Sequence, residues 1–231
     1  MKGFFDASQD EVARLILIRH GRTVSNQEGR ILGTTDDPLE AHGLLQAEAL
    51  AERMTEYGVN ALYASPLSRA RQTAAAISRC VGVDVQIDPD LIEYDFGELS
   101  DFTIHALKEQ KPVLFEEINV WINMGPVASM PRPVLQNAES MAQLATRALR
   151  FGEKIVTQHQ GNVVAAVAHA GIIRAMLTLW AGGSLENRFP FRSDNASISV
   201  VDFYHGVPCI RLFNDITHLK TKLGFGRPVV L

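Results

Sequence analysis

Cysteine is scarce in this sequence: Cys80 and Cys209 are the only two in 231 residues, far apart and without ligand-type spacing. That excludes a disulfide framework, and the pair reads as free thiols of a reducing cytoplasm. The His and Cys spacings hold no zinc motif, so no metal is implied. No Gly-x-Gly-x-x-Gly run or P-loop follows an apolar stretch, so no nucleotide cofactor is implied either. Long apolar runs are missing as well: none approaches the ~18 residues that a membrane span needs. Met1 to Glu11 has a Phe4-Phe5 pair, then Asp6, Gln9, Asp10 and Glu11, and lacks the apolar core of a signal peptide. Charge of one sign is not in excess, the formal net charge being -4 at pH 7. There is thus no global basic field to gather nucleic acid or anionic membrane, and an anionic ligand would need a local cluster of arginines. The expectation is a cytoplasmic protein with neither nucleic acid nor membrane as partner.

What is present is enough for one sizeable core, with 46% hydrophobic residues. Leu15 to Ile18 and Val163 to Ala168 are short, wholly apolar runs of the kind buried on both faces of a parallel sheet. Ala61 to Ala64 reads as another short strand, and Val83 to Ile87 as a weak one. Helical patterns run from Leu44 to Tyr57, with Gly58 as C-cap, and from about Leu67 to Cys80, stopping near Gly82. Ser65-Pro66 is read as the start of the second helix, Ser capping and Pro suiting the first turn. Glu139 to Gln158 and Ile172 to Trp180 are further helices. Ser197 to Tyr204 and Cys209 to Phe213 form a terminal strand pair. Strands alternating with helices imply an α/β fold, a mostly parallel sheet covered on both sides. One domain spanning 1–231 is expected, with residues 101–136 as an insertion of one or two short helices among Pro112, Pro126, Pro131 and Pro133.

Ligands of open α/β sheets bind at the carboxyl ends of the strands. Two such ends here carry histidine, His20 and His169, each directly after an apolar run, and Arg19 precedes the first. A lone histidine is most often structural; two at matching positions beside an arginine point to chemistry.

Leu17-Ile18-Arg19-His20-Gly21-Arg22-Thr23 resembles the signature of the histidine phosphatase superfamily, in the branch shared with cofactor-dependent phosphoglycerate mutases. The likeness continues in order through Asn26, Gly29-Arg30, Asp37-Pro38-Leu39, Gly43 and Gln46-Ala47. It goes on through Ser65-Pro66-Leu67-Ser68-Arg69-Ala70, Leu91-Ile92-Glu93 with Phe96-Gly97-Glu98, Glu139-Ser140, and Val167-Ala168-His169-Ala170-Gly171. It implies a phosphoglycerate mutase-like, three-layer α/β/α fold and a phosphohistidine intermediate on His20. Arg19 and Arg69 would hold the phosphoryl oxygens, His169 and Asn26 would complete the cradle, and no metal or other cofactor would be needed. Glu93 is the implied general acid, beside a bound phosphate whose negative charge disfavours its ionisation. Asp95 and Glu98 compete for that role as nearby carboxylates. Arg22 is either a solvent-facing residue or an extra charge at the pocket mouth.

The resemblance admits a phosphomonoesterase, a phosphoglycerate mutase-type isomerase, or a catalytically silent binding module. Silence is disfavoured because Arg19, His20, Arg69, Glu93 and His169 are all present. A mutase of this branch carries clustered basic residues in a longer insertion; here residues 101–136 hold only Lys108, Lys111 and Arg132. A hydrolase of a small phosphorylated metabolite is therefore preferred. Val120, Trp121, Ile122 and Met124 are read as core packing or as the apolar face of a lid. Trp180 and the apolar insertion offer surfaces for a homodimer.

Overall fold

The computed structural model describes residues 12–123, 133–186 and 190–223. Six strands form one sheet: β1 (Val12–Arg19), β2 (Ala61–Ala64), β3 (Val85–Ile87), β4 (Val163–Ala168), β5 (Ile198–Tyr204) and β6 (Val207–Asp215). Their order is β3-β2-β4-β1-β5-β6. The first four run parallel, and β5 is antiparallel to both β1 and β6. Helices α1 (Val24–Gln27), α2 (Ala41–Met54), α3 (Ser68–Val81), α4 (Ile104–Gln110), α5 (Pro112–Asn123), α6 (Met141–Gln158), α7 (Ala170–Trp180) and α8 (Thr217–Leu223) complete the described chain.

The three layers follow from the period-two alternation of the central strands. Leu15 and Leu17 of β1, with Ala166 and Ala168 of β4, face α6 and α7 through Phe151, Ile155, Ile172 and Met176. Ile16 and Ile18, with Ala165 and Val167, face α2 and α3 through Leu50, Met54, Ala74 and Ile77. Each fully buried Leu or Ile contributes roughly 1.5–3 kcal/mol, so the two cores fix the register of β1 firmly.

The inner strands match the expected runs, and most differences lie at element ends. α2 begins three residues earlier than the apolar pattern, at Ala41, because the Glu40 side chain accepts from the backbone N–H of His42 and Gly43. Gly58 takes the left-handed conformation, φ 63°, as expected of a cap. The third strand is shorter than Val83 to Ile87, and β6 is longer than Cys209 to Phe213. A tight His205-Gly206 turn, with both φ positive, lets pairing resume at Val207. Pro208 is tolerated there because β6 is an edge strand. α1 and α8 were not signalled by any periodic pattern. The segment expected as an insertion holds two helices among its described residues, α4 and α5. Met124 and Arg132, and the side chains of Trp121 and Ile122, lie outside the described residues. Trp180 packs its ring against Gly152 and edge-on to Phe203 (centroids 5.2 Å apart) and is half-buried. Cys80 and Cys209 are both unpaired. Among the described residues no helix is long and apolar enough to cross a membrane.

One close approach decides where β1 delivers its last residues. A Cβ at Gly43 would lie 1.9 Å from the Arg22 carbonyl oxygen, and one at Gly21 would lie 2.5 Å from the Gly43 carbonyl oxygen. The first turn of α2 therefore touches the loop after β1 backbone to backbone. Gly43→Ala should force these segments apart and destabilise the protein by roughly 1–3 kcal/mol, read as a lower midpoint in urea with an unchanged slope.

Candidate active site

Three parallel strands end on one level. Arg19 pairs in register with Ala168, and Ala64 with Val167, so His20, His169 and Ser65 emerge side by side. The His20 N–H continues the ladder to the Ala168 carbonyl (3.0 Å), and its own carbonyl accepts from Ala196 N (3.1 Å) and Asn195 Nδ2 (3.2 Å). Gly21 N donates to Thr73 Oγ1 of α3 (3.1 Å). The backbone at the head of β1 is thus held from three sides.

His20 is buried, and its Nδ1 lies 2.6 Å from the Gly21 carbonyl oxygen. A carbonyl can only accept, so Nδ1 carries the proton and Nε2 presents a lone pair. Burial, then the charges of Arg19 and Arg69, push its pKa well below the ordinary histidine value. The His169 ring lies 5.0 Å away, centroid to centroid. His169 is wholly buried; Nδ1 accepts from Arg69 Nε (3.2 Å), and Nε2 donates to Ser65 Oγ (2.7 Å). Its pKa is also driven well down, by burial first and then by His20, Arg69, Arg19 and Arg147.

Arg69 is buried on α3, and its fork is fixed by three acceptors: His169, the Thr35 carbonyl (2.7 Å) and the Gly33 carbonyl (2.8 Å). Arg19 donates from Nη1 to the Ser193 carbonyl, while its buried Nε has no partner. Burial pulls the Arg19 pKa down to about 10, against the favourable charges of Glu93 and Asp194, and the group stays cationic at neutral pH. A desolvated cation with an orphaned donor, beside a second buried guanidinium, is an arrangement that an anion completes.

Glu93 comes to this cluster from the other side. Its Oε1 accepts from Tyr94 N (2.7 Å) and Ile172 N (3.1 Å), and its Oε2 from Gly171 N (2.9 Å), all backbone donors, two of them at the start of α7. Each carboxylate oxygen has two lone pairs, so Oε2 is the one with an acceptor site to spare. The carboxylate is within electrostatic reach of both Arg19 and Arg69. Asp95 and Glu98 are not among the carboxylates acting on Arg19 or Arg69. Asp95 accepts from Gly97 N (2.8 Å), and Glu98 pairs with Lys111 and accepts from Gln136 N (3.0 Å).

Asn26 closes α1 in a capping box with Thr23, and its Oδ1 also accepts from Asn195 Nδ2 (3.0 Å), so its Nδ2 is the group it can offer a ligand. Arg22 stands apart: its Nε donates to Glu40 Oε1 (2.7 Å), and it is not among the charges acting on His20. Ser65 corrects a sequence expectation. Leu67, not Ser65, occupies the cap position of α3, and the Ser65 hydroxyl, while accepting a long bond from Leu67 N (3.4 Å), is also the partner of His169. Sequence reasoning also missed Ser193 and Asn195. Their signal was topological: an antiparallel strand next to β1 starts where β1 ends, so the polar run before β5 belongs at the site. Among the described residues no group of three or more His, Cys, Asp or Glu is placed to hold a metal ion.

The chain belongs to the histidine phosphatase superfamily (branch 1), whose family model matches residues 15–216. It is 32% identical over 219 residues to a metal-independent phosphoserine phosphatase of Arabidopsis thaliana, covering 94% of this chain and 87% of that one. It is 30% identical over 209 residues to phosphoserine phosphatase 1 of Hydrogenobacter thermophilus, covering 90% and 95%. A phosphoglycerate mutase-like protein of Arabidopsis thaliana is 28% identical, covering 96% and 95%. Among solved structures, a phosphoserine phosphatase variant of Entamoeba histolytica in complex with phosphoserine superposes with a TM-score of 0.75 at 25% identity, covering 89% of this chain and 98% of that one.

Two tests follow from the geometry. A Cβ at Gly171 would meet Glu93 Oε1 at 2.4 Å and the Tyr94 Cβ at 3.1 Å. Gly171→Ala should lower the melting temperature, because Glu93 loses buried backbone hydrogen bonds, and lower kcat/KM for alkyl phosphates by about tenfold or more as the carboxylate is displaced. The depressed pKa values of His20 and His169 mean that the unfolded chain binds protons which the folded one refuses. Their contribution to stability is therefore intact above about pH 6.5 and falls as the pH drops below it. NMR titration should find both rings neutral from pH 8 down through 6.

Proposed function

We propose that the chain is a metal-independent phosphomonoesterase of a small phosphorylated metabolite, acting through a phosphohistidine on His20. The observation that carries this reading is the fixed tautomer of His20: Nδ1–H bound to the Gly21 carbonyl, Nε2 free, and Arg19, Arg69 and His169 around it. The Nε2 lone pair attacks phosphorus as the bond to the leaving oxygen breaks, and Glu93 delivers its proton, from Oε2, to that oxygen. Water then attacks the phosphoryl group, Glu93 takes back a proton, and inorganic phosphate leaves neutral His20 behind. The two guanidinium groups and the Asn26 amide offset the charge on the equatorial oxygens.

The preference for hydrolysis over isomerisation is supported by the insertion. Lys111 is paired with Glu98, which leaves Lys108, over the Phe115 ring, as a lone cation rather than part of a basic cluster among the described residues of the insertion. The names of the relatives make phosphoserine the first substrate to assay. The same reading includes one histidine phosphatase-like domain with residues 101–136 as its insertion, working in the cytoplasm without nucleic-acid or membrane partners.

His20→Ala should lower kcat/KM by at least about a thousandfold, ~4 kcal/mol of barrier. Wild-type protein quenched in the steady state should carry acid-labile phosphate, and EDTA should leave the rate unchanged. Loss of activity in EDTA that magnesium restores would overturn the mechanism. Rapid interconversion of phosphoglycerates with little free phosphate, in the presence of 2,3-bisphosphoglycerate, would make the protein a mutase.

A further inference from the structure

The acid of the proposed reaction sits on a segment with no regular secondary structure, residues 92–96, yet its carboxylate must be placed to within a fraction of an ångström. Helix α6 supplies what the loop lacks. Arg147, Arg150 and Lys154 fall at i, i+3 and i+7, on one face of the helix, and all three reach the segment before Glu93. Lys154 pairs with the Asp88 carboxylate and Arg150 with the Asp90 carboxylate, both through partly exposed cations. Arg147 differs in kind. It is buried, and its Nη1 donates to two backbone carbonyls, those of Asp90 (2.9 Å) and Ile92 (2.5 Å). The Ile92 carbonyl belongs to the peptide group that leads into Glu93, so its direction sets the plane from which the side chain departs.

Arg147 is itself held rigid. Its Nε and Nη2 form a two-pronged pair with Glu139 (2.6 and 2.8 Å), a carboxylate just ahead of the Ser140 cap of α6. The Glu139 N–H in turn donates to the Asp95 carbonyl (3.0 Å), on the far side of Glu93. One buried ion pair thereby grips the chain on both sides of the acid.

We infer that Arg147, locked by Glu139, is the positioning residue for Glu93, and that it acts on catalysis through the Ile92–Glu93 peptide without touching substrate. This rests on the reading of Glu93 as general acid. A planar fork serving a carboxylate and two carbonyls at once cannot be replaced by an ammonium group. Arg147→Lys keeps the charge and loses the fork.

The experiment compares kcat/KM, which reports transfer to His20, across phosphate monoesters with leaving groups from alkyl alcohols to 2,4-dinitrophenol. A leaving group of low pKa needs no proton, so it is insensitive to the acid. Arg147→Lys should lower kcat/KM for alkyl phosphates by about tenfold or more while changing that for 2,4-dinitrophenyl phosphate less than about twofold. Glu139→Gln, which keeps the side chain's shape but replaces one of the two acceptors of Arg147 with a donor, should show the same pattern. Arg150→Ala, which removes a contact to the Asp90 side chain only, should leave both substrates alone. In a Glu93→Gln background the Arg147→Lys effect should disappear. An equal loss on all substrates, or a loss that persists in that background, means a general structural role and overturns the inference. If Glu93→Gln shows the leaving-group dependence and a folded Arg147→Lys protein does not, the inference fails while the function stands. If Glu93→Gln itself shows no dependence, the acid assignment and the inference fall together.

Discussion

The site depends on an imidazole that stays neutral among cations. A histidine in water would be partly protonated near neutral pH, and a bound phosphate would favour that further. Here desolvation and two guanidinium charges act against the proton, and the Gly21 carbonyl decides which nitrogen keeps the remaining one. Those guanidinium groups are themselves in an unfavourable place: Arg19 is desolvated enough to lose part of its affinity for a proton, and Arg69 depends on two loop carbonyls and a histidine for its bonds. Without an anion, the pocket is a set of groups whose electrostatic needs are only partly met. The arrangement is stable because the surrounding sheet over-determines it, with apolar residues on both faces of β1 and β4.

The resemblance between His20 and His169 in the sequence, each after an apolar run, becomes a physical relation in the sheet. They lie on adjacent parallel strands, so equal run endings become equal heights. The same register explains Ser65, one strand further, whose hydroxyl serves His169 Nε2 as well as the backbone at the start of α3. The charged surroundings divide by reach: Arg19 and Arg69 act on His20, whereas Arg22 turns to Glu40 at the foot of α2.

The inner strands and main helices were legible because buried parallel strands and amphipathic helices leave strong periodic signals. The termini of helices were less so, since α2 gains its first turn from the Glu40 side chain, which no apolar pattern records. His20, Arg69, Glu93 and His169 were found by ordered motifs, and the structure gathers them in one cluster. Ser193 and Asn195 were not found, because they sit in a polar connection whose place depends on strand order rather than on local spacing. The hydrogen bonding of Glu93 was hidden for a similar reason: its donors are main-chain groups of Tyr94, Gly171 and Ile172, and backbone donors have no letter in a sequence.

The contact between Gly21 and Gly43 has a wider meaning. Between these two points the chain leaves the sheet, forms α1, passes Gly33 and Thr35, and returns, and its base is closed by the Thr23–Leu39 bridge and the Arg22–Glu40 pair. An excursion cinched at its neck holds its own site groups in place: the Asn26 amide near the strand end, and the Gly33 and Thr35 carbonyls on Arg69. A shift anywhere along this hairpin-like annexe would therefore be felt at the Arg69 guanidinium, so the neck ties the end of β1 and the orientation of that fork into one mechanical unit.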